Sequence, residues 1–151
     1  MNVAVLWLIN ERGEILMARH AAHMSTDAGV WGPSVSGKVD KGETFNTAVL
    51  REAYEELGLA ATEISPIFLH KETYTDHSDG RKREFGLFYS TVPSNIIKRL
   101  RLEANEVSEV KWFKKSELKQ LADEQSNSLI ASTAKELWQS IFLHLQPITA
   151  T

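Results

Sequence analysis

The hydrophobic pattern of this chain predicts an α+β fold, an α/β/α sandwich in which a mixed β-sheet lies between helices. Three observations carry that expectation. Apolar runs of strand length recur at residues 3–9, 14–19, 65–75, 83–92 and 107–113. Helix-period segments interrupt and close the series, over about 44–57 and about 128–145. No linker, repeat or low-complexity tract divides the 151 residues, so 1–151 is expected to be a single domain.

The first two runs flank Asn10-Glu11-Arg12-Gly13, whose composition suits a hairpin turn. Residues 20–36 are rich in Ala, Gly, Ser and His and read as a loop ending in Trp31-Gly32-Pro33-Ser34-Val35-Ser36. Thr44 stands where the first helix should start, with Glu43 beside it, and Gly58 where its C-terminus wants a left-handed residue. The runs at 65–75 and 83–92 are joined by Asp76 to Arg81, where Asp79-Gly80 signals a turn. Pro93-Ser94 ends the second of them. Val107 to Phe113 is a further strand, and a short helix is expected near 115–123. In the last segment Ile130, Ala134, Leu137, Trp138, Ile141 and Leu145 form one stripe, which reads as core.

Composition excludes several classes of chemistry. The chain has no cysteine, so disulfides, thiolate catalysis and a cysteine zinc site are out. A net charge of −3 offers no general attraction to a nucleic-acid polymer. No apolar run is long enough to cross a bilayer, and no membrane role is expected. The apolar start, Met1 to Asn10, lacks a basic leader and reads as a first strand, which fits a cytoplasmic protein.

The helix at 44–57 is the chemically informative element. With Val49 set at zero, Glu52, Glu55 and Glu56 fall near 300°, 240° and 340°, while Val49, Ala53, Leu57, Leu50 and Tyr54 spread over roughly 0–140°. One face should dock on a core and the other should concentrate carboxylates. Like charges three and four apart repel by roughly 0.2–0.5 kcal/mol per pair. Hard divalent cations such as Mg²⁺ take oxygen ligands and share their shell with substrate phosphates. Gly37 and Gly42 bracket a preceding loop in which the backbone can approach a ligand closely.

Gly37, Glu43, Arg51, Glu52, Ala53, Glu55, Glu56, Gly58 and Leu59 occupy every defined position of a long motif. In it the chain resembles the Nudix hydrolase family. The resemblance implies a mixed sheet between helices, with 37–59 as a loop–helix–loop catalytic motif. It also implies hydrolysis of a nucleoside diphosphate linked to another group X, or of a similar small organic diphosphate, by metal-activated water attacking phosphorus. Carried over by position, Glu52, Glu55 and Glu56 are the expected Mg²⁺ or Mn²⁺ ligands, and any of them not fully engaged could act as general base. Arg51 and Glu43 are expected to pair and orient the metal-binding turn. A further carboxylate is expected before the strand at 107–113, and of Glu103, Glu106 and Glu109 we choose Glu106. Arg19, at the end of the second strand, together with Gly37 and Lys38 in the Gly-rich loop, are the substrate-binding candidates.

His20, His23, His70 and His77 show no ligand spacing and are read as surface or hydrogen-bonded residues. The clusters Arg81-Lys82-Arg83 and Lys98-Arg99-Leu100-Arg101 are read as solvated faces, and Trp31 as a packed anchor. The segment Trp31 to Glu43 also resembles the branch containing type I isopentenyl-diphosphate isomerase and its hydrolase relatives. That isomerase needs a cysteine near position 36, where this chain has Ser36, so isomerisation is not expected. The alternative from another class is a catalytically silent Nudix module that binds a nucleotide or a partner. Such modules usually lose a glutamate of the motif, and none is lost here. The family resemblance also admits a homodimer.

Overall fold

The computed structural model describes residues 2–21, 29–75 and 79–123. Its strands in chain order are β1 (Asn2–Ile9), β2 (Ile15–His20), β3 (Trp31–Gly32), β4 (Val35–Lys38), β5 (Ile67–Thr75), β6 (Lys82–Thr91) and β7 (Val107–Phe113). Helix α1 spans Phe45–Leu57 and α2 spans Lys115–Asp123. Short 3-10 turns cover Ala61–Glu63 and Ser94–Arg99.

All seven strands join one mixed sheet. β1 runs parallel to β6 over its whole length, from Asn2 opposite Glu84 to Ile9 opposite Thr91, and β5 lies antiparallel outside β6. The other edge of β1 is shared. Val3 to Leu6 pair antiparallel with β4, whereas Ile9 meets Ile15 of β2 across the hairpin turn. β2 then carries β7 and, at its far end, β3. Ser34 sits in the resulting fork. Its hydroxyl accepts from the Leu8 N–H at 2.8 Å and donates to the Leu16 carbonyl at 2.5 Å, satisfying groups that the fork would strand in a dry interior.

Alternation along β1 splits the core into two layers. Ala4, Leu6 and Leu8 join Leu16, Val35 and the α1 residues Ala48, Val49, Ala53 and Leu57 on one face. Val5, Trp7 and Ile9 join Met17, Leu87, Phe113 and Leu118 of α2 on the other. The α+β expectation is met by this mixed sheet with a helix on each face. Trp31 packs edge-on against Phe113, ring centroids 5.2 Å apart, as an anchor should.

Two sequence expectations need correction. Residues 20–36 are not wholly loop, because β3 and the start of β4 lie within them. Both strands are very short and broken by Pro33, so no alternating pattern could declare them. Lys38 consequently ends a strand rather than sitting inside the Gly-rich loop. The expected helix at 128–145 and the histidines His23 and His77 lie outside the described residues.

Candidate metal centre

Helix α1 is built to hold its termini. The Thr44 hydroxyl accepts from the Thr47 N–H at 3.1 Å and the Thr47 hydroxyl accepts from the Thr44 N–H at 2.9 Å, a reciprocal cap. Gly58 takes the left-handed conformation, φ 71°, and donates to the Tyr54 carbonyl at 2.9 Å while Leu59 donates to Ala53 at 3.3 Å. A side chain at Gly58 would also press on Arg101.

The buried face of α1 differs from the expected arc. Ala48, Val49, Glu52, Ala53, Glu56 and Leu57 are buried, whereas Tyr54 is 55% exposed. The helix is thus rolled so that two glutamates, not Tyr54, face the sheet. The cause is Gly37. A Cβ there would overlap the Glu52 carboxyl group, so only glycine lets this carboxylate lie against β4.

Glu52 and Glu56 meet a third carboxylate, Glu106. One oxygen of each lies within 4.8 Å of the others, and together they could hold a metal ion. Glu106 comes from the turn before β7, which is sewn to the end of α1. The last carbonyls of a helix lack intrahelical partners, and here Glu56 and Leu57 accept from the Glu103 and Arg101 N–H groups at 2.9 and 3.0 Å. Ala21 at the end of β2 donates to the Glu106 carbonyl at 3.0 Å.

The electrostatics of the cluster suit a cation. Burial pushes the Glu56 carboxyl up to about 10, helped by a hydrogen bond with Glu52 and by the charges of Glu52 and Glu106. Glu106 is also raised, by burial and then by the charges of Glu52, Glu103 and Glu55. Three close carboxylates suit a hard divalent cation, so the donor set fits Mg²⁺ or Mn²⁺.

Arg51 holds the flank of this cluster. Its Nε and one terminal nitrogen make a fork to the Glu43 carboxylate, both at 2.9 Å, and the same terminal nitrogen reaches the Lys38 carbonyl at 3.0 Å. The other terminal nitrogen bridges Glu52 at 2.8 Å and Glu55 at 3.1 Å. Glu43 is held below the usual carboxylate range by Arg51 and then by the Asp40 N–H, and Arg51 is raised, chiefly by Glu43. Asp40, 3.3 Å from Arg51, is a member of this group that the sequence reading missed. Its only signal was its place between Gly37 and Gly42.

The remaining candidates are placed differently. Glu55, expected as a ligand, lies outside the trio and is more than half exposed, with one oxygen on Arg51. The Arg19 guanidinium bonds the Gly29 carbonyl at 2.8 Å and Glu109 at 3.0 Å. The Lys38 side chain is exposed.

Comparison with known proteins bears on this geometry. A family model described as the NUDIX domain matches residues 1–132. A curated relative, isopentenyl-diphosphate Delta-isomerase of Salmonella typhi, is 28% identical over 135 residues, covering 89% of this chain and 63% of that protein. The chain therefore spans less than two thirds of that relative's length. The dihydroneopterin triphosphate pyrophosphohydrolase of E. coli superposes with a TM-score of 0.72 at 17% identity, covering 97% of this chain and 95% of that one. The MutT protein of Methanosarcina mazei Go1 gives 0.71 at 22% identity, with 92% and 90% covered. At such identities the two structures speak for the fold. Given a family model that spans most of its length and the same fold in these neighbours, the chain belongs to the Nudix family.

Proposed function

We propose that the protein is a divalent-metal-dependent pyrophosphohydrolase acting on a small organic diphosphate, such as a nucleoside diphosphate linked to X. The observation that carries this reading is the convergence of Glu52, Glu56 and Glu106 beside the Arg51–Glu43 fork. The structural neighbour named as a dihydroneopterin triphosphate pyrophosphohydrolase shares the fold and supports it.

Glu52, Glu56 and Glu106 would hold Mg²⁺ or Mn²⁺. When bound, the ion supplies neutralisation of diphosphate oxygens and a water of lowered pKa. Arg51 keeps Glu52 oriented and ties the loop after β4 to α1 through Lys38, Asp40 and Glu43. Glu55 is the carboxylate left for proton transfer. One of its oxygens rests on Arg51, and the half-exposed carboxylate would take a proton from the attacking water. Lys38 and Arg19 stand beside the loop and at the end of β2, as groups for a substrate phosphate. Isomerisation is not proposed, because Ser36 is far too weak an acid for the proton transfer that the isomerase entrusts to a thiol.

The test is phosphate and pyrophosphate release from nucleoside triphosphates, nucleotide sugars, dinucleoside polyphosphates and prenyl diphosphates, with Mg²⁺ or Mn²⁺. Turnover of one class that Glu56→Gln abolishes supports the hydrolase and names X. Nucleotide binding without turnover of any class would favour a binding module.

A further inference from the structure

We propose that Glu103 is a positioning residue that sets the third carboxylate of the cation cluster. The inference rests on the cation reading of Glu52, Glu56 and Glu106. Glu103 is hydrogen-bonded to the main chain of two members of that trio at once. Its N–H donates to the Glu56 carbonyl at 2.9 Å, and its own carbonyl accepts from the Glu106 N–H at 2.9 Å and the Val107 N–H at 2.8 Å. Glu103 therefore ties the end of α1 directly to the turn that carries Glu106.

The side chain completes the turn. Glu103 Oε1 accepts from the Asn105 N–H at 3.1 Å, closing the backbone two residues on, as a short Asx side chain does elsewhere. Without that acceptor the Glu103–Glu106 turn keeps its two ends but loses the bond that stiffens its middle. Glu106 is exposed and its main chain is held within the turn, so the turn beneath it sets where its carboxylate stands. The cation cluster thus draws two carboxylates from a rigid helix and one from a turn, and Glu103 joins the two supports.

Charge offers a rival account, since the Glu103 carboxylate lies near enough to Glu106 to raise it. Comparison of two substitutions separates the accounts. Glu103→Ala removes both the charge and the acceptor. Glu103→Gln removes the charge and leaves an amide oxygen to accept the same N–H.

The experiment measures Mn²⁺ affinity by the paramagnetic resonance of the free ion, for the wild type, Glu103→Ala and Glu103→Gln. Metal-free thermal midpoints are taken alongside. Glu103→Ala is expected to weaken Mn²⁺ binding roughly tenfold, the usual scale for groups that orient ligands, with little change in the metal-free midpoint. Glu103→Gln is expected to stay close to the wild type. In turnover the loss should appear as a raised Mg²⁺ requirement, with kcat recovered at saturating metal. Equal weakening in both variants would show that charge acts and overturn the positioning role. Wild-type affinity in Glu103→Ala would overturn it too. Failure of the wild type to bind Mn²⁺ at all would remove the cation reading itself, a result distinct from either.

Discussion

At the scale of single residues, the site depends on a missing side chain as much as on the charged ones. Gly37→Ala should push the Glu52 carboxylate off β4, because the new Cβ would occupy its place. We expect a fall in Mn²⁺ affinity of at least roughly tenfold, measurable by the free-ion resonance, with the fold retained by circular dichroism. Glu55→Gln and Glu56→Gln should both cut turnover by more than about a hundredfold, through different losses. Glu56→Gln should lose metal affinity, whereas Glu55→Gln should bind metal and fail in the chemical step. Parallel metal titrations and kcat measurements separate them, and near wild-type turnover in both would count against the site. The motif glutamates, Arg51, Glu43 and Glu106 were legible as residue types at defined spacings. Which oxygens converge was not, since Glu106 joins Glu52 and Glu56 through a turn that no helical angle describes.

At the scale of elements, the helix was the most readable part of the chain and its rotation the least. Thr44 and Gly58 marked its ends within a residue, because caps answer local backbone demands. The roll that buries Glu52 and Glu56 and exposes Tyr54 depends on the space opposite, which Gly37 sets from another strand. Strands β3 and β4 escaped the sequence pattern for a similar reason. Each is defined by pairing with β2 or β1, not by its own alternation. Arg51 links the loop after β4 to the helix, so Arg51→Met should loosen Glu43 and Glu52 together. Metal affinity should drop roughly tenfold or more, and hydrogen exchange should rise over residues 38–44. A loss confined to stability, with affinity intact, would contradict the orienting role.

At the scale of the molecule, the cluster should make stability depend on pH and on cations. Glu56 is raised in the folded chain, from 4.5 to about 10. A raised group contributes stability that is fully present below its unfolded value and is lost as the pH climbs through the folded one. The metal-free protein should therefore lose thermal stability as the pH rises from 4.5 towards 10. Mg²⁺ should restore more stability the higher the pH over that interval, because binding displaces the retained proton. Glu56→Gln should flatten the metal-free profile and abolish the Mg²⁺ response. Melting curves in chelator and in Mg²⁺ across that range check both statements. The overall architecture was readable because β1, β2 and β6 bury continuous apolar runs. The order of the strands was not, since the parallel pairing of β1 with β6 joins segments that share no local signal.

The most direct test of the account is metal-dependent release of phosphate or pyrophosphate across the diphosphate panel, wild type against Glu56→Gln. The account predicts turnover of one substrate class that requires Mg²⁺ or Mn²⁺ and vanishes in the variant. Turnover that persists in chelator or in Glu56→Gln would contradict it.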